Sequence, residues 1–193
     1  MSEPPRKAGA RPRLYQQSWP EGEYRFFQLG FVVDDIVAAA QQWTEVHGVG
    51  PFLISPVIEM DAIVAGQPAP VSIQVGLAQA GPVQIELIQQ HCDRPSIFRE
   101  WGTPFHQLAT ITNDVDGRVR HLQECGYELV GEVTTPELKV AYIDTTADFG
   151  FYTEVVSTHP AFLARWQGVA ETCATWDGTD PVRFQTDDGY RVP

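Results

Sequence analysis

Positive charge is scarce in this sequence: 13 Lys and Arg stand against 25 Asp and Glu over 193 residues, a formal net charge of −12. A chain of that sign repels a phosphate backbone, and no local basic patch offsets it, so nucleic acid is not an expected partner. Long apolar runs are missing too. Although 43% of residues are hydrophobic, no stretch approaches the roughly 18 consecutive apolar residues of a membrane helix, so no membrane partner is expected. Arg6, Lys7, Arg11 and Arg13 are not followed by the apolar stretch of a secretory signal. Cysteine is limited to Cys92, Cys125 and Cys173, an odd number without C-x-x-C spacing, which suits free thiols in a reducing compartment. The expected location is cytoplasmic. Also absent are a G-x-x-x-x-G-K-[ST] loop, a G-x-G-x-x-G fingerprint, a G-x-S-x-G elbow and an H-E-x-x-H pair. Nucleotide-dependent, serine-hydrolase and zincin chemistry are disfavoured with them.

What is present is a duplication. Residues 1–22, with Pro4, Pro5, Pro12 and Pro20 among polar neighbours, read as a flexible N-terminal arm. A β-rich run over 26–33 leads to Asp34-Asp35 as helix cap, then Ile36, Ala39, Ala40, Trp43 and Val46 at helical spacing up to Gly48. After a proline-rich loop region, strands are expected over 71–77 and 83–88, joined by a turn at 80–82. The same order then returns. A strand over 105–111 leads to Asn113-Asp114, a helix stopped by Gly126, and strands around 128–133, 140–144 and 151–156. Phe26-x-Gln28-Leu29 matches Phe105-x-Gln107-Leu108, and Asp35-Ile36 matches Asp114-Val115, at one common offset. Phe162, Leu163, Trp166, Val169 and Ala170 then mark one face of a C-terminal helix. The expected fold is α+β: two tandem βαβββ modules, about 24–90 and 104–157, forming a cupped, barrel-like mixed sheet over 23–157. A C-terminal helix and tail follow over 158–193.

Two such modules, opened by Gln28-Leu29-Gly30-Phe31-Val32-Val33-Asp34-Asp35, resemble the vicinal oxygen chelate (glyoxalase/bleomycin resistance/dioxygenase) superfamily. The turn His47-Gly48-Val49-Gly50-Pro51-Phe52 and the closing strands around Ile85-Glu86-Leu87 and Tyr152-Thr153-Glu154-Val155 are most similar to its glyoxalase-like branch, which includes methylmalonyl-CoA epimerase. The resemblance implies four metal ligands inside the cup, one from the first and one from the last strand of each module. Carried over residue by residue, these are Gln28, Glu86, Gln107 and Glu154. Relatives usually have histidine where Gln107 stands. Two amides and two carboxylates form a hard oxygen set, better suited to Mg²⁺, Mn²⁺ or Ca²⁺ than to Zn²⁺, Ni²⁺ or Co²⁺, or to no metal at all.

His106 competes with Gln107 for the third position. The step from Gln28 to Asp35 equals that from Gln107 to Asp114, and strand side chains alternate faces. Gln107 is therefore expected to face the cup and His106 to point away, unless a bulge turns His106 inward. Glu154 is the leading catalytic base and Glu86 its partner. Glu59 and Asp61 are candidates for the mouth, and Phe52, Phe98, Trp101, Tyr142 and Phe149 for its walls. Two function classes stand side by side. One is a glyoxalase/epimerase-like lyase or isomerase that removes a proton α to a carbonyl, with or without a divalent metal. The other is a non-catalytic protein that sequesters a small molecule in the same cup. A small-molecule partner is expected in either case, and a homodimer from the open sheet edges.

Overall fold

A computed structural model describes residues 25–99 and 104–193; the expected N-terminal arm and Trp101 lie outside them. The first module runs β1 (Arg25–Val32), α1 (Ile36–His47), β2 (Phe52–Ile54), β3 (Ile58–Met60), β4 (Ala62–Val64), β5 (Gln67–Pro68), β6 (Val71–Ala80) and β7 (Val83–Gln90). The second runs β8 (Phe105–Thr112), α2 (Val115–Glu124), β9 (Glu128–Thr135), β10 (Leu138–Asp144), the single turn α3 (Thr146–Phe149) and β11 (Tyr152–Ser157). After these come α4 (Pro160–Ala174), β12 (Val182–Thr186) and β13 (Gly189–Arg191).

The helices of the two modules, α1 and α2, start where the sequence supplies a cap. Asp35 accepts from the backbone N–H groups of Val37 and Ala38, each at 3.0 Å, and Asp114 accepts from that of Gly117 at 2.8 Å. Gly48 closes α1 in the left-handed region at φ 65°.

All strands join one sheet, in which β2-β6-β7-β1 of the first module continues into β8-β11-β10-β9 of the second. Within each module the first strand lies parallel to the last, β1 to β7 and β8 to β11, while β1 and β8 meet antiparallel at the module boundary. Alternation then sorts the side chains. On β7, Ile85 and Leu87 pack beneath α1; on β10 and β11, Ala141, Ile143 and Val155 pack beneath α2. The opposite face is the inside of the cup, where Ile73, Leu77, Ile88, Val140 and Val156 meet Trp166 and Val169 of α4. Each fully buried aliphatic side chain is worth about 1.5–3 kcal/mol, so helices outside and α4 inside hold the sheet from both faces.

Two features differ from the sequence expectation. The proline-rich stretch carries three short strands, β3 to β5; β3 pairs with β6, while β4 crosses to β9 of the second module. The C-terminal tail is not featureless: β12 adds in parallel to β2, burying Val182 against the α1 cluster. Its five residues are too short to announce a strand, and the open edge of β2 supplies what the local pattern does not.

Candidate functional site

The inner face of the sheet meets α4 around a cavity of about 150 Å³. Its wall is apolar, with Ile73, Leu77, Val140 and Trp166 among the lining residues, and its polar groups are few: Gln28, Ser55, Glu86, Tyr142, Glu154 and Arg165. Glu86 faces inward because it shares the face of Ile88, with its neighbours Ile85 and Leu87 turned to α1. Glu154 faces inward by the same alternation on β11, between Thr153 and Val155.

Gln107 joins them. Its side chain is completely buried, and Nε2 donates to Glu86 Oε2 at 2.9 Å and to Glu154 Oε2 at 3.4 Å. The position opposite Gln107 on β1 is Gly30, and a methyl group there would overlap the Gln107 amide. Glycine within a strand marks a close approach; here it makes room for the amide to reach both carboxylates. Tyr142, opposite Glu154 on β10, donates a further hydrogen bond to that carboxylate.

Gln28 is buried as well but turns elsewhere, donating from Nε2 to Gln84 Oε1 at 2.9 Å across the β1–β7 pair.

His106 requires a correction. Gly30 pairs with Gln107 and Phe31 with Phe105, so β8 carries one extra residue, His106, at a bulge. A bulge sets two successive side chains on one side of the strand. His106 is therefore not outside the cup. It is fully buried behind the cavity wall, against the rings of Phe98 and Tyr142. Its Nδ1 meets Gln107 Oε1 and its Nε2 lies 2.9 Å from the Ile97 carbonyl; burial pushes its pKa down. The duplication contains this bulge too: β1 has an extra residue at Phe27, which packs on Trp166 with ring centroids 4.4 Å apart. Strict alternation misses both, because a bulge leaves no mark in a run of β-formers.

Burial is also the main force on the carboxylates. It pushes Glu154 up to about 7, against hydrogen bonds from Tyr142 and Gln107 that favour the ionised form. Glu86 is raised well above the usual carboxylate range, first by burial and then by the Glu154 charge, with Arg165 and Gln107 opposing. Two acids joined through one amide in an apolar cup do not both ionise easily. Tyr142 is likewise pushed up by burial and by the same two charges.

As a metal set, the four family positions fit poorly. Gln28 is bonded to Gln84, and the end of Gln107 between the carboxylates is an N–H donor, not a ligand. Among the described residues no three His, Cys, Asp or Glu gather as ligands.

Of the other candidates, Phe98 and Tyr142 line the cavity. Phe52 packs under α1 instead, and Phe149 is largely exposed beside Tyr127 and Phe151. Glu59 is exposed and within 3.8 Å of Arg94, and Asp61 is exposed outside the cavity. Sequence reasoning missed Gly30, Gln84 and Arg165. Only Gly30 left a signal, as a glycine inside an otherwise β-rich run.

No curated protein matches the chain. Among solved structures, a hypothetical protein from Bacillus halodurans C-125 is similar over 70% of this chain and 95% of its own, with 15% identity and a TM-score of 0.51. Methylmalonyl-CoA epimerase from Mycobacterium tuberculosis is similar over 72% of this chain and 91% of its own, with 20% identity and a TM-score of 0.49. Residues 27–142 match the model of the Glyoxalase/Bleomycin resistance protein/Dioxygenase superfamily. With the duplicated modules and the inward carboxylates in view, the chain belongs to that superfamily.

Proposed function

We propose that the cup performs acid–base chemistry at a carbon next to a carbonyl, as a glyoxalase/epimerase-like lyase or isomerase. Superfamily membership supplies the scaffold and not the reaction; the observation that carries this reading is the Glu86–Gln107–Glu154 cluster beneath an apolar cavity. With Glu154 titrating near 7, its ionised form is available at neutral pH and its basicity exceeds that of an ordinary carboxylate. Glu154 removes the proton α to the carbonyl. Glu86, held protonated by burial and by the Glu154 charge, donates a hydrogen bond to the oxygen that gains charge. Return of a proton from either acid to the carbanion carbon completes an isomerisation, and expulsion of a β leaving group completes a lyase reaction. Burial strengthens both interactions, because few waters compete inside the cup.

The test is incorporation of solvent deuterium into a panel of small carbonyl compounds, followed by ¹H NMR. Incorporation into at least one compound, lost on Glu154→Gln, is expected. Saturable binding without exchange for every compound favours the second reading, a sequestering protein, which the apolar wall supports. The acid–base reading needs no divalent metal (Mg, Mn, Ni, Co or Zn), since the amides of Gln28 and Gln107 are engaged elsewhere; stoichiometric metal in purified protein, lost together with activity on chelation, would contradict it. The proposal also includes a cytoplasmic homodimer, checked by sedimentation at micromolar concentration.

A further inference from the structure

Among the described residues, one cation lines the cup. Among the described residues lining it, Arg165 alone is positively charged, and it has no ion-pair partner there. It sits on α4 between Phe162 and Trp166, whose rings meet edge to face with centroids 3.9 Å apart. Trp166 in turn packs on Phe27, so this turn of the helix is anchored against the sheet. Arg165 itself remains exposed at the opening, close enough for its charge to be felt at Glu86. What sets Arg165 apart from the other arginines is its place on the lining of the cavity. The remainder of the lining is apolar apart from Gln28, Ser55, Tyr142 and the two carboxylates. A guanidinium presents a planar fork of donors that matches a carboxylate in two parallel hydrogen bonds.

Size narrows the ligand further. The cavity is about 150 Å³, a volume that takes a benzene-sized molecule, and drug-sized ligands generally need about 300 Å³ or more. We infer that the cup selects a compact carbonyl compound of about six carbons bearing one carboxylate, with Arg165 as the specificity-determining residue that holds that carboxylate at the mouth. The apolar chain of the ligand then lies along Leu77, Val140 and Trp166, and its carbonyl reaches Glu86 and Glu154. This substrate class rests on the proposed acid–base reading, but its binding determinant lies on a separate element and is tested separately.

The probe is 4-methyl-2-oxopentanoate, compared with its methyl ester, which keeps the carbonyl and the apolar chain but removes the charge. Calorimetry on the wild-type protein should show the acid binding at least about tenfold more tightly than the ester, since charged hydrogen bonds are worth about 1.5–3 kcal/mol and tenfold corresponds to about 1.4. Arg165→Gln should bring the two within about twofold of each other, and Arg165→Lys should restore part of the preference. Glu154→Gln should retain binding of the acid while losing deuterium incorporation at its C3. No saturable binding of the acid, equal binding of acid and ester, or a preference unchanged in Arg165→Gln overturns the inference. Selective, Arg165-dependent binding without deuterium exchange would instead leave the inference standing and overturn the acid–base reading.

Discussion

The first strands of the two modules carry the same residues and use them differently. Gln28 and Gln107 occupy equivalent positions next to equivalent bulges, at Phe27 and His106. Glu86 stands beside Gly30 across the β1–β7 pair, and Glu154 beside Ala109 across β8–β11. The antiparallel junction then faces Gln107 with Gly30 and Gln28 with Ala109. Opposite the glycine, the Gln107 amide crosses to both carboxylates. Opposite the alanine, the Gln28 amide stays in its own module on Gln84. One methyl group separates a glutamine that organises the acids from one that braces the sheet. A duplicated scaffold has thus become an asymmetric site, with Tyr142 reinforcing Glu154 alone.

The largest way to break this arrangement is at the base. Glu154→Gln should lower turnover about 10²–10⁴-fold, the usual range for a lost general base, measured as deuterium incorporation. Its effect on stability should be opposite in sign. Between pH 4.5 and about 7 folded Glu154 keeps a proton that the unfolded chain has released, so wild-type stability falls as pH rises through that window and stays lower above it. The amide carries no such penalty. The variant should be more stable than wild type at pH 8, on the order of 3 kcal/mol, with no advantage at pH 4, as urea denaturation at the two pH values will show.

Gly30→Ala comes next. The added methyl overlaps the Gln107 amide, so the amide must leave the carboxylates. Overpacking of this kind typically costs about 1–3 kcal/mol. Turnover should fall about tenfold or more, by analogy with a loss of about 1.4 kcal/mol of transition-state stabilisation. Pairing it with Gln107→Ala relieves the overlap, so the double variant should regain stability over Gly30→Ala but not turnover.

Gln84→Leu is the smallest intervention. It leaves the buried Gln28 amide without its partner and should cost about 1–3 kcal/mol of stability, read as a shift in the urea midpoint. Turnover should stay within about threefold of wild type, because the Gln28 amide bonds to Gln84 while Gln107 bridges the acids. An effect on turnover as large as that of Gly30→Ala would show that the two glutamines are functionally equivalent after all.

The fold was largely legible from residues. Asp35 and Asp114 as caps, Gly48 as a stop, and the common offset between Gln28 and Gln107 were enough to place two modules, because duplication doubles every local signal. The inward direction of Glu86 and Glu154 was legible only through that duplication, since both sit among apolar neighbours. His106 was misplaced because a bulge is a property of strand pairing, which one strand's letters do not carry. The strand at Val182–Thr186 was missed for a related reason: its partner is β2, more than a hundred residues earlier in the chain. Arg165 escaped notice because what distinguishes it is its place at the cavity beside the inner face of the sheet, a fact of three dimensions.

The most direct measurement is a titration of the glutamate side-chain carboxyls by ¹³C NMR, with Glu86→Gln and Glu154→Gln to assign the two signals. The signal assigned to Glu154 should move near pH 7, and Glu86 should remain protonated to higher pH than an ordinary glutamate. In Glu154→Gln the Glu86 signal should shift toward lower pH, because the neighbouring charge is gone. Two signals that both titrate in the usual carboxylate range near 4.3, unaffected by each other's removal, would contradict the claim that these acids form one coupled, buried acid–base pair.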